Sequence, residues 1–514
     1  MAYKLYTEAS DSLLLLDGTT VEKSENCTLS FKTALKDPSS PVITGTEPWE
    51  GCGPYIFGGN ILSVEDGLRL YYVAWENTTN LYRIGIAESA DGLCWHKPKT
   101  FERKLGDRTV FTSVDVENSP HIGWPSMNVV RDPRPETPEE RRYCGMGFTY
   151  QGTKVYFSPD GRSWKPYANN PVWHGSSDII HCIWDERLGK FLCYYKLWRL
   201  QGISADDGCP VDLLFTTFNE KTLPDGTSEI TGPAVTQVPS GEDIITQVKL
   251  RLVSGGLSSD DGGGGHLLGA WNTRRVVCRA ESEDFITWKN GAVVLDTDSS
   301  DRPGANIQIA HVFYAGGYYL AFLAVHDQRG FFDQQFAFSA DGVNWNRPWR
   351  GNIVSRGAPG EFDCGMITEI PQPIVSGSKM LLYYGASGGD HTDNYAAFSV
   401  GRAILRRDGF AARVAGDTAG TLRTRPIRIK KKQVLLNANA EGGWVTGALF
   451  TPDGAAIPGF GHGDCTPFDG DSASFENCFG RLTWRSGDFP TDYAGEDIVL
   501  ELKFARAEVY SVSL

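Results

Sequence analysis

SADGLCW (89–95), SPDGRSW (158–164), SEDFITW (282–288) and SADGVNW (339–345) are four copies of one phrase, Ser-x-Asp-(Gly/Phe)-x-x-Trp. The chemistry is that of a tight turn. Aspartate bonds backbone amides of the turn, glycine adopts positive φ, and the Trp ring packs beneath. Each copy follows an alternating, strand-like run: YRIGIAE, TKVYFS, RVVCRAE and QQFAFS. Upstream lie five aromatic strands behind turns: DGLRLYYVAW (66–75), ERRYCGMGFTY (140–150), RLGKFLCYYKLW (187–198), AGGYYLAFLAV (315–325) and SGSKMLLYYGA (376–386). A further strand precedes each. The repeating unit is therefore a four-stranded antiparallel sheet, the blade of a β-propeller. In the fifth copy AFSVGRAILRRDGF (397–410) takes the place of the turn phrase.

The turn aspartates fall at 91, 160, 284 and 341, so one interval is far longer than the others. The excess is read as an insertion over 199–273, rich in Gly, Asp and Ser, rather than a sixth, degenerate blade. After about 402 the phrase stops, and TLRTRPIRI, KQVLLNANA, GWVTGALFT, RLTWRSG, DIVLELKFA and AEVYSVSL read as the short strands of a β-sandwich. The expected fold is all-β, a five-bladed β-propeller followed by a C-terminal β-sandwich. Its parts are lead-in strands over 1–45, the propeller over 46–401 and the sandwich over 402–514. Composition agrees: 58 Gly and 27 Pro among 514 residues, with 12% aromatics, suit many tight turns between aromatic strands.

No apolar run reaches the length that crosses a bilayer, and a net charge of −14 disfavours a phosphate backbone as partner. No membrane and no nucleic acid partner is expected. The eleven Cys are odd in number and lack a C-x-x-C pair, which fits a reducing compartment. MAYKLYTEASDSLLLLDG is not a signal peptide, so the expected location is cytoplasmic, with a trimmed leader as the open alternative.

PWE (48–50), ESADGLCWHKP, DPRPETPEERRY, WDERLGKF, RRVVCRAESEDFITW, DRPGANIQ, FAFSADGVNWNRP, EFDCGMI and YYGASGGDH together resemble one group. It is the bacterial glycosidase-like proteins of the five-bladed propeller superfamily that contains invertase, levansucrase and arabinanase. LLNANAEGGWVTGALFTPDGAAIPGF and VLELKFARAEVYSV resemble the C-terminal sandwich of invertase-like enzymes. The resemblance implies a propeller glycosidase, but the catalytic set does not carry over whole. Invertase-like enzymes place a stabilising Asp in an Arg-Asp-Pro motif and an acid in a Glu-Cys motif. Here Arg131-Asp132-Pro133 falls at a strand exit, where Asp132 reads as a turn residue, and the third blade has no Glu-Cys.

Inner strands of a propeller line its channel and open at one mouth. Glycosidic cleavage needs two carboxyls across a sugar. Acids near the inner-strand entrances are Glu47 and Glu50, Glu117, Asp178, Asp301, and Glu361 with Asp363. Their alternative is a solvated loop or strand-entry turn. Glu50, Asp178, Asp301 and Asp363 also match motifs of the resembling group and are the catalytic candidates. We expect their carboxyls to meet in one cavity, with Asp178 or Asp301 attacking or activating water and Glu50 or Asp363 donating a proton. Trp49 and Trp124 stack on a sugar or belong to the core; His181, Arg302 and Glu361 are further substrate-binding candidates. The resemblance places His391 of GGDHTDN near the mouth, the alternative being a surface loop. His174 and His181 lack a third zinc ligand, so no metal and no cofactor is expected.

The resulting expectation is a glycoside hydrolase or transglycosylase acting on an oligosaccharide, of fructoside or arabinoside (furanoside) type. Its rivals are an inverting phosphorylase, which needs a cationic pocket, and a carbohydrate-binding protein without catalysis. The insertion is expected to project at the mouth or to join copies in a homo-oligomer.

Overall fold

The turn phrase folds as its residue types require. The computed structural model describes residues 3–9, 11–56, 58–76, 81–105, 108–116, 127–149, 151–204, 210–225, 228–237, 243–252, 273–326, 330–391, 393 and 397–514. In all four copies the aspartate Oδ1 accepts the backbone N–H groups two and three residues on, at 2.7–2.9 Å. The preceding Ser hydroxyl adds a bond of 2.9–3.0 Å. Those donors hold each of the four carboxyls below its usual range. Gly92, Gly161 and Gly342 have φ of +62°, +71° and +72°, and Phe285 takes the same left-handed backbone at +64°. A Phe there is strained, and its fully buried ring, packed edge-on against Phe191 and Trp288, holds it in place.

Five antiparallel sheets follow along the chain. Blade one pairs Ile61–Val64, Gly67–Glu76 and Leu81–Ser89, with Tyr55 bridging to Val73 and His96 to Glu88. Blade two runs Met127–Arg131, Tyr143–Thr149, Gly152–Ser158 and Ser163–Pro166. Blade three is Ile180–Asp185, Lys190–Ser204, Thr273–Ser282 and Lys289–Leu295. Blade four is Asn306–Ala315, Tyr318–His326, Phe332–Ser339 and Trp345–Asn346. Blade five has an interrupted inner strand, Met366–Ile367 and Ile374–Ser376, then Lys379–Ser387 and Phe398–Arg406.

The outer strand of blade five is Leu35–Lys36, with Ile43 bridging to Val400. It comes from the stretch read as lead-in strands, so the N-terminal segment completes the last blade. A tyrosine of the aromatic strand ties neighbouring blades. Tyr71 of blade one donates to Gly161 O in the turn of blade two, and Tyr194 of blade three to Gly342 O of blade four, both at 3.0 Å. Tyr383 of blade five donates to Gly92 O of blade one, which closes the ring.

The described residues of the 199–273 stretch extend the sheet of blade three. The far half of Lys190–Ser204 pairs with Pro210–Phe215, and Asn219–Thr222, Ser228–Thr236 and Ile244–Leu252 extend the sheet. Leu200, Phe215, Ile230 and Ala234 give the arm a small core of its own. Beyond the propeller, two sheets of seven and five strands face each other. Leu436, Leu482, Trp484, Val509 and Val512 from one pack on Leu422, Val445, Leu449, Leu500 and Phe504 from the other. That is a β-sandwich, and Leu13–Leu14, Val21–Glu25 and Thr28–Phe31 add strands to it from the N-terminal segment.

Candidate functional site

The inner strands bring one group from each blade to the propeller axis. His181 and His311 stack with ring centroids 3.9 Å apart, and His311 Nδ1 lies 2.8 Å from Glu369 Oε1. The Asn128 amide reaches His181 Nδ1 at 3.2 Å, and Gly58 N–H donates to the second Glu369 oxygen. All three titratable groups are buried. Burial lowers both imidazoles to about 3 and raises Glu369 to about 7, the nearby His181 opposing the latter.

Backbone partners fix the tautomers. Gln372 N–H donates to His311 Nε2 at 3.1 Å, so Nδ1–H donates to Glu369. The Asn128 amide donates to His181 Nδ1, so Nε2–H donates to Val312 O at 2.9 Å. The ligand atoms of the trio lie within 4.8 Å of one another, a spacing open to a metal ion. Yet every ring nitrogen is already used within the protein, and the cluster serves as a polar plug of the channel. The partners of His181 come from other blades, Asn128 from blade two and His311 and Val312 from blade four.

Above the plug, at the entrance ends of blades three and four, Asp178 forms an ion pair with Lys196 and takes a bond from Ser177 Oγ at 2.9 Å. Burial alone would raise this carboxyl. The Lys196 ammonium, the Ser177 hydroxyl and the Arg275 charge outweigh it and hold Asp178 below the usual range, ionised at neutral pH. Its side chain is 23% exposed. Trp198 and Arg275 are cross-strand partners, and the guanidinium lies 4.3 Å above the indole ring. The Lys196 ammonium lies 5.0 Å from the same ring.

Arg275 reaches His326 Nδ1 at 3.4 Å, and His326 contacts Phe332 and His391 with centroids 4.8 and 5.4 Å away. Across the opening Tyr55 packs on Phe398 and Tyr82, and Tyr82 on Trp75. The Asp178 charge is one of the influences, after burial and Tyr82, that hold the Tyr55 phenol far up. Ionised carboxylate, cations and aromatic rings thus share one mouth.

Three of the four carboxylate candidates are not in it. Glu50 is 1% exposed; its oxygens accept Thr46 N–H, Glu47 N–H, Tyr72 OH and the Lys97 ammonium at 2.6–2.9 Å. Asp363, also 1% exposed, takes Tyr384 OH at 3.0 Å and Lys36 Nζ at 2.7 Å. Asp301, 2% exposed, is gripped by Arg347 at 2.7 and 3.0 Å and by Arg350. Each is a latch that joins the loop before an inner strand to a cation from the outer part of the same blade. Blades one and five repeat the latch closely: Tyr72 and Tyr384 hold the same place in their strands, and a glycine, Gly85 or Gly401, sits over each ring. A Cβ at either glycine would come within 2.2 Å of the ring carbon. The expected convergence of Glu50, Asp178, Asp301 and Asp363 is therefore corrected. In blades one, four and five the entrance acid fastens the outer part of its own blade.

The remaining candidates divide. Trp49 is 2% exposed and stacked on Tyr72, a core ring and not a sugar platform. His181 belongs to the plug. Arg302 is mostly exposed and donates to Asp333 at 2.7 Å, while Glu361 caps the turn at Ala358 N–H. His391 lies at the mouth beside His326 and Phe332. Asp132 is held by Arg134 at a strand exit, as a turn residue would be. Trp124, with Glu117 and His121, lies outside the described residues. A cavity of about 970 Å³ lies elsewhere, at the seam of blade five and the sandwich, lined by Lys4, Arg407, Phe475 and Arg481.

Sequence reasoning missed Lys196, Trp198, Arg275 and His326. A signal existed: Lys196 occupies the strand position that Val73 and Gly385 hold in blades one and five, so its charge breaks the repeat.

No protein-family profile matches the chain, and no curated protein does. Among solved structures the chain is similar to one described as a glycoside hydrolase, with 14% identity and a TM-score of 0.43 over 73% of this chain and 92% of that one. It is also similar to a putative glycoside hydrolase from Bacteroides ovatus, with 12% identity and a TM-score of 0.39 over 72% and 96%. A third is an N-acetylgalactosamine deacetylase from F. plautii in complex with blood group B trisaccharide, with 13% identity and a TM-score of 0.40 over 74% and 96%.

Proposed function

We propose that the protein cleaves or transfers glycosides at the mouth between blades three and four, with Asp178 as the ionised carboxylate at the anomeric carbon. The observation that carries the reading is the state of Asp178. Of the four candidates it alone is partly open, and Lys196 holds it charged at neutral pH. That suits a nucleophile or a base and excludes the role of proton donor. Rings on the opposite side, Tyr55, Tyr82 and Trp75, supply the apolar surface on which a sugar face rests.

Oligosaccharides of fructoside or arabinoside type remain the substrates proposed first. Hydrolysis screened across fructosides, arabinosides and uronides, with Asp178→Asn beside the parent, tests the reading. The amide variant should lose about 10²–10⁴-fold in rate on whichever glycoside the parent cleaves. An unchanged rate would leave a carbohydrate-binding protein in its place.

A further inference from the structure

We propose that the outer face of the sandwich carries a saccharide site of its own, a pocket around Trp444 that binds a neutral sugar residue and shares no residue with the propeller mouth. The inference goes beyond the glycoside reading and does not depend on it. Strand alternation builds the pocket. In GWVTGALF, Val445 and Leu449 enter the sandwich core, so Trp444 and Thr446 lie on the opposite face. The neighbouring strand Asp497–Ala505 pairs Thr446 with Lys503 and Ala448 with Glu501, while its Leu500, Leu502 and Phe504 go inward. Phe468 exchanges two backbone bonds of 2.8 Å with Val445, which sets Pro467 and Asp469 beside Trp444 and Thr446. The loop GFGHGD (459–464) adds His462. Trp444, Thr446, His462, Pro467, Asp469 and Lys503 line a pocket of about 570 Å³, a size that suits a small ligand.

The lining joins an idle aromatic face to idle polar groups. Trp444 is half-buried, yet its indole makes no ring contact and no hydrogen bond among the described residues. Trp95, Trp345 and Trp349, also half-buried, each pack on another ring. A flat apolar face left to water is a platform for the C–H face of a sugar. Beside it, the Lys503 ammonium and the Asp469 carboxylate have no side-chain partner among the described residues. His462 is held in place instead. Thr446 Oγ1 at 3.0 Å and Glu501 Oε1 at 3.3 Å grip its two ring nitrogens, and Arg423 holds Glu501 at 3.4 Å. That chain makes the imidazole a fixed wall of the pocket. One ammonium and one carboxylate balance, so the lining suits a neutral ligand rather than an anion or a cation. Each sugar hydroxyl both donates and accepts, which matches a donor and an acceptor set around one ring.

The test is affinity electrophoresis of the intact protein through gels that contain inulin, linear arabinan, laminarin or polygalacturonate. At least one of the neutral glycans should retard the protein. Trp444→Ala should weaken that binding about tenfold or more, and Trp444→Phe, which keeps an aromatic face, should restore part of it. Asp469→Ala, at an exposed position, should also weaken it about tenfold or more, as for a lost hydrogen bond to a charged group. No retardation by any neutral glycan overturns the proposal, and so does stronger retardation by polygalacturonate. Parental retardation of folded Trp444→Ala, or of Asp469→Ala should the first variant not fold, overturns it as well. The two readings fail separately. Retardation that depends on Trp444, in a protein that cleaves no glycoside, would leave this site standing without the enzyme. Asp178-dependent cleavage, with retardation indifferent to Trp444, would do the reverse.

Discussion

Glu50 and Asp178 are both acids before an inner strand, and the structure gives them opposite fates. Around Glu50 every acceptor position is filled: two backbone amides, Tyr72 and Lys97 close it off inside blade one. Asp178 has its cation on the second strand of its blade, Lys196, and keeps an open side. The position of the partner cation makes the difference. A lysine on the outer strand, as Lys97 and Lys36 are, pulls the acid into the blade as a fastening. A lysine on the second strand holds the acid at the mouth, charged and reachable. Residue type at the strand entrance does not distinguish a latched acid from one left partly exposed.

The widest test of this contrast is a pair of amide variants. Asp178→Asn should lower turnover about 10²–10⁴-fold while the fold persists, because Asn still offers Lys196 an oxygen at a site open to water. Glu50→Gln should do the opposite. Both Glu50 oxygens accept from donors, so the amide NH₂ must face one of them, and Lys97 is left without its counter-charge. The expected loss is about 3–5 kcal/mol of stability, read as a lowered urea midpoint, with kcat/KM of the folded fraction unchanged. If Glu50→Gln lost activity at full stability, the latch assignment would fall.

A smaller effect separates the latch from the blade that lacks one. Tyr72, Tyr195 and Tyr384 hold one strand position, but Tyr195 receives its bond from the neutral Gln237 side chain of the arm at 3.1 Å. Tyr72→Phe removes a bond to a buried carboxylate and should cost about 1.5–3 kcal/mol, whereas Tyr195→Phe should cost about 0.5–1.5 kcal/mol. Equal shifts in urea midpoint would show that the latch carboxylate adds nothing to the tyrosine bond.

Much of this architecture is legible in the sequence because it repeats. The Ser-x-Asp-Gly turns and the strands before them follow from local chemistry read several times over. The Tyr-Tyr pairs of LYYVAW, CYYKLW and LYYGAS also repeat, and both of their roles, tether and latch, lie across blades or across a sheet. The site was harder for the opposite reason. Lys196 departs from the repeat, and its meeting with Arg275 and His326 depends on how blades three and four are set side by side. The closure of blade five by Leu35–Lys36 was hidden likewise, since a short strand 367–369 residues from its partner carries no local mark of its pairing.

A third carboxylate completes the comparison. Glu369 lies neither in a latch nor at the mouth but in the channel, beside imidazoles that burial keeps neutral. Each group has its own sign. His181 and His311 titrate near 3 in the fold and near 6.5 when unfolded, so the unfolded chain binds more protons and their contribution is lost as pH falls below about 6.5. Glu369, raised to about 7 from 4.5, binds its proton earlier in the fold and gains stability as pH falls through that interval. Between about 4.5 and 6.5 two imidazoles oppose one carboxyl, so the plug favours the unfolded state by a net proton on acidification. His311→Gln still donates to Glu369 and accepts from Gln372 N–H, yet does not titrate. It should flatten the acid limb by about 1.4 kcal/mol per pH unit, measured as the difference in urea stability between pH 5 and pH 6 for variant and parent. Parallel slopes would mean that His311 already carries a proton in the fold, and Glu369 would then be its ion-paired partner rather than a neutral acid.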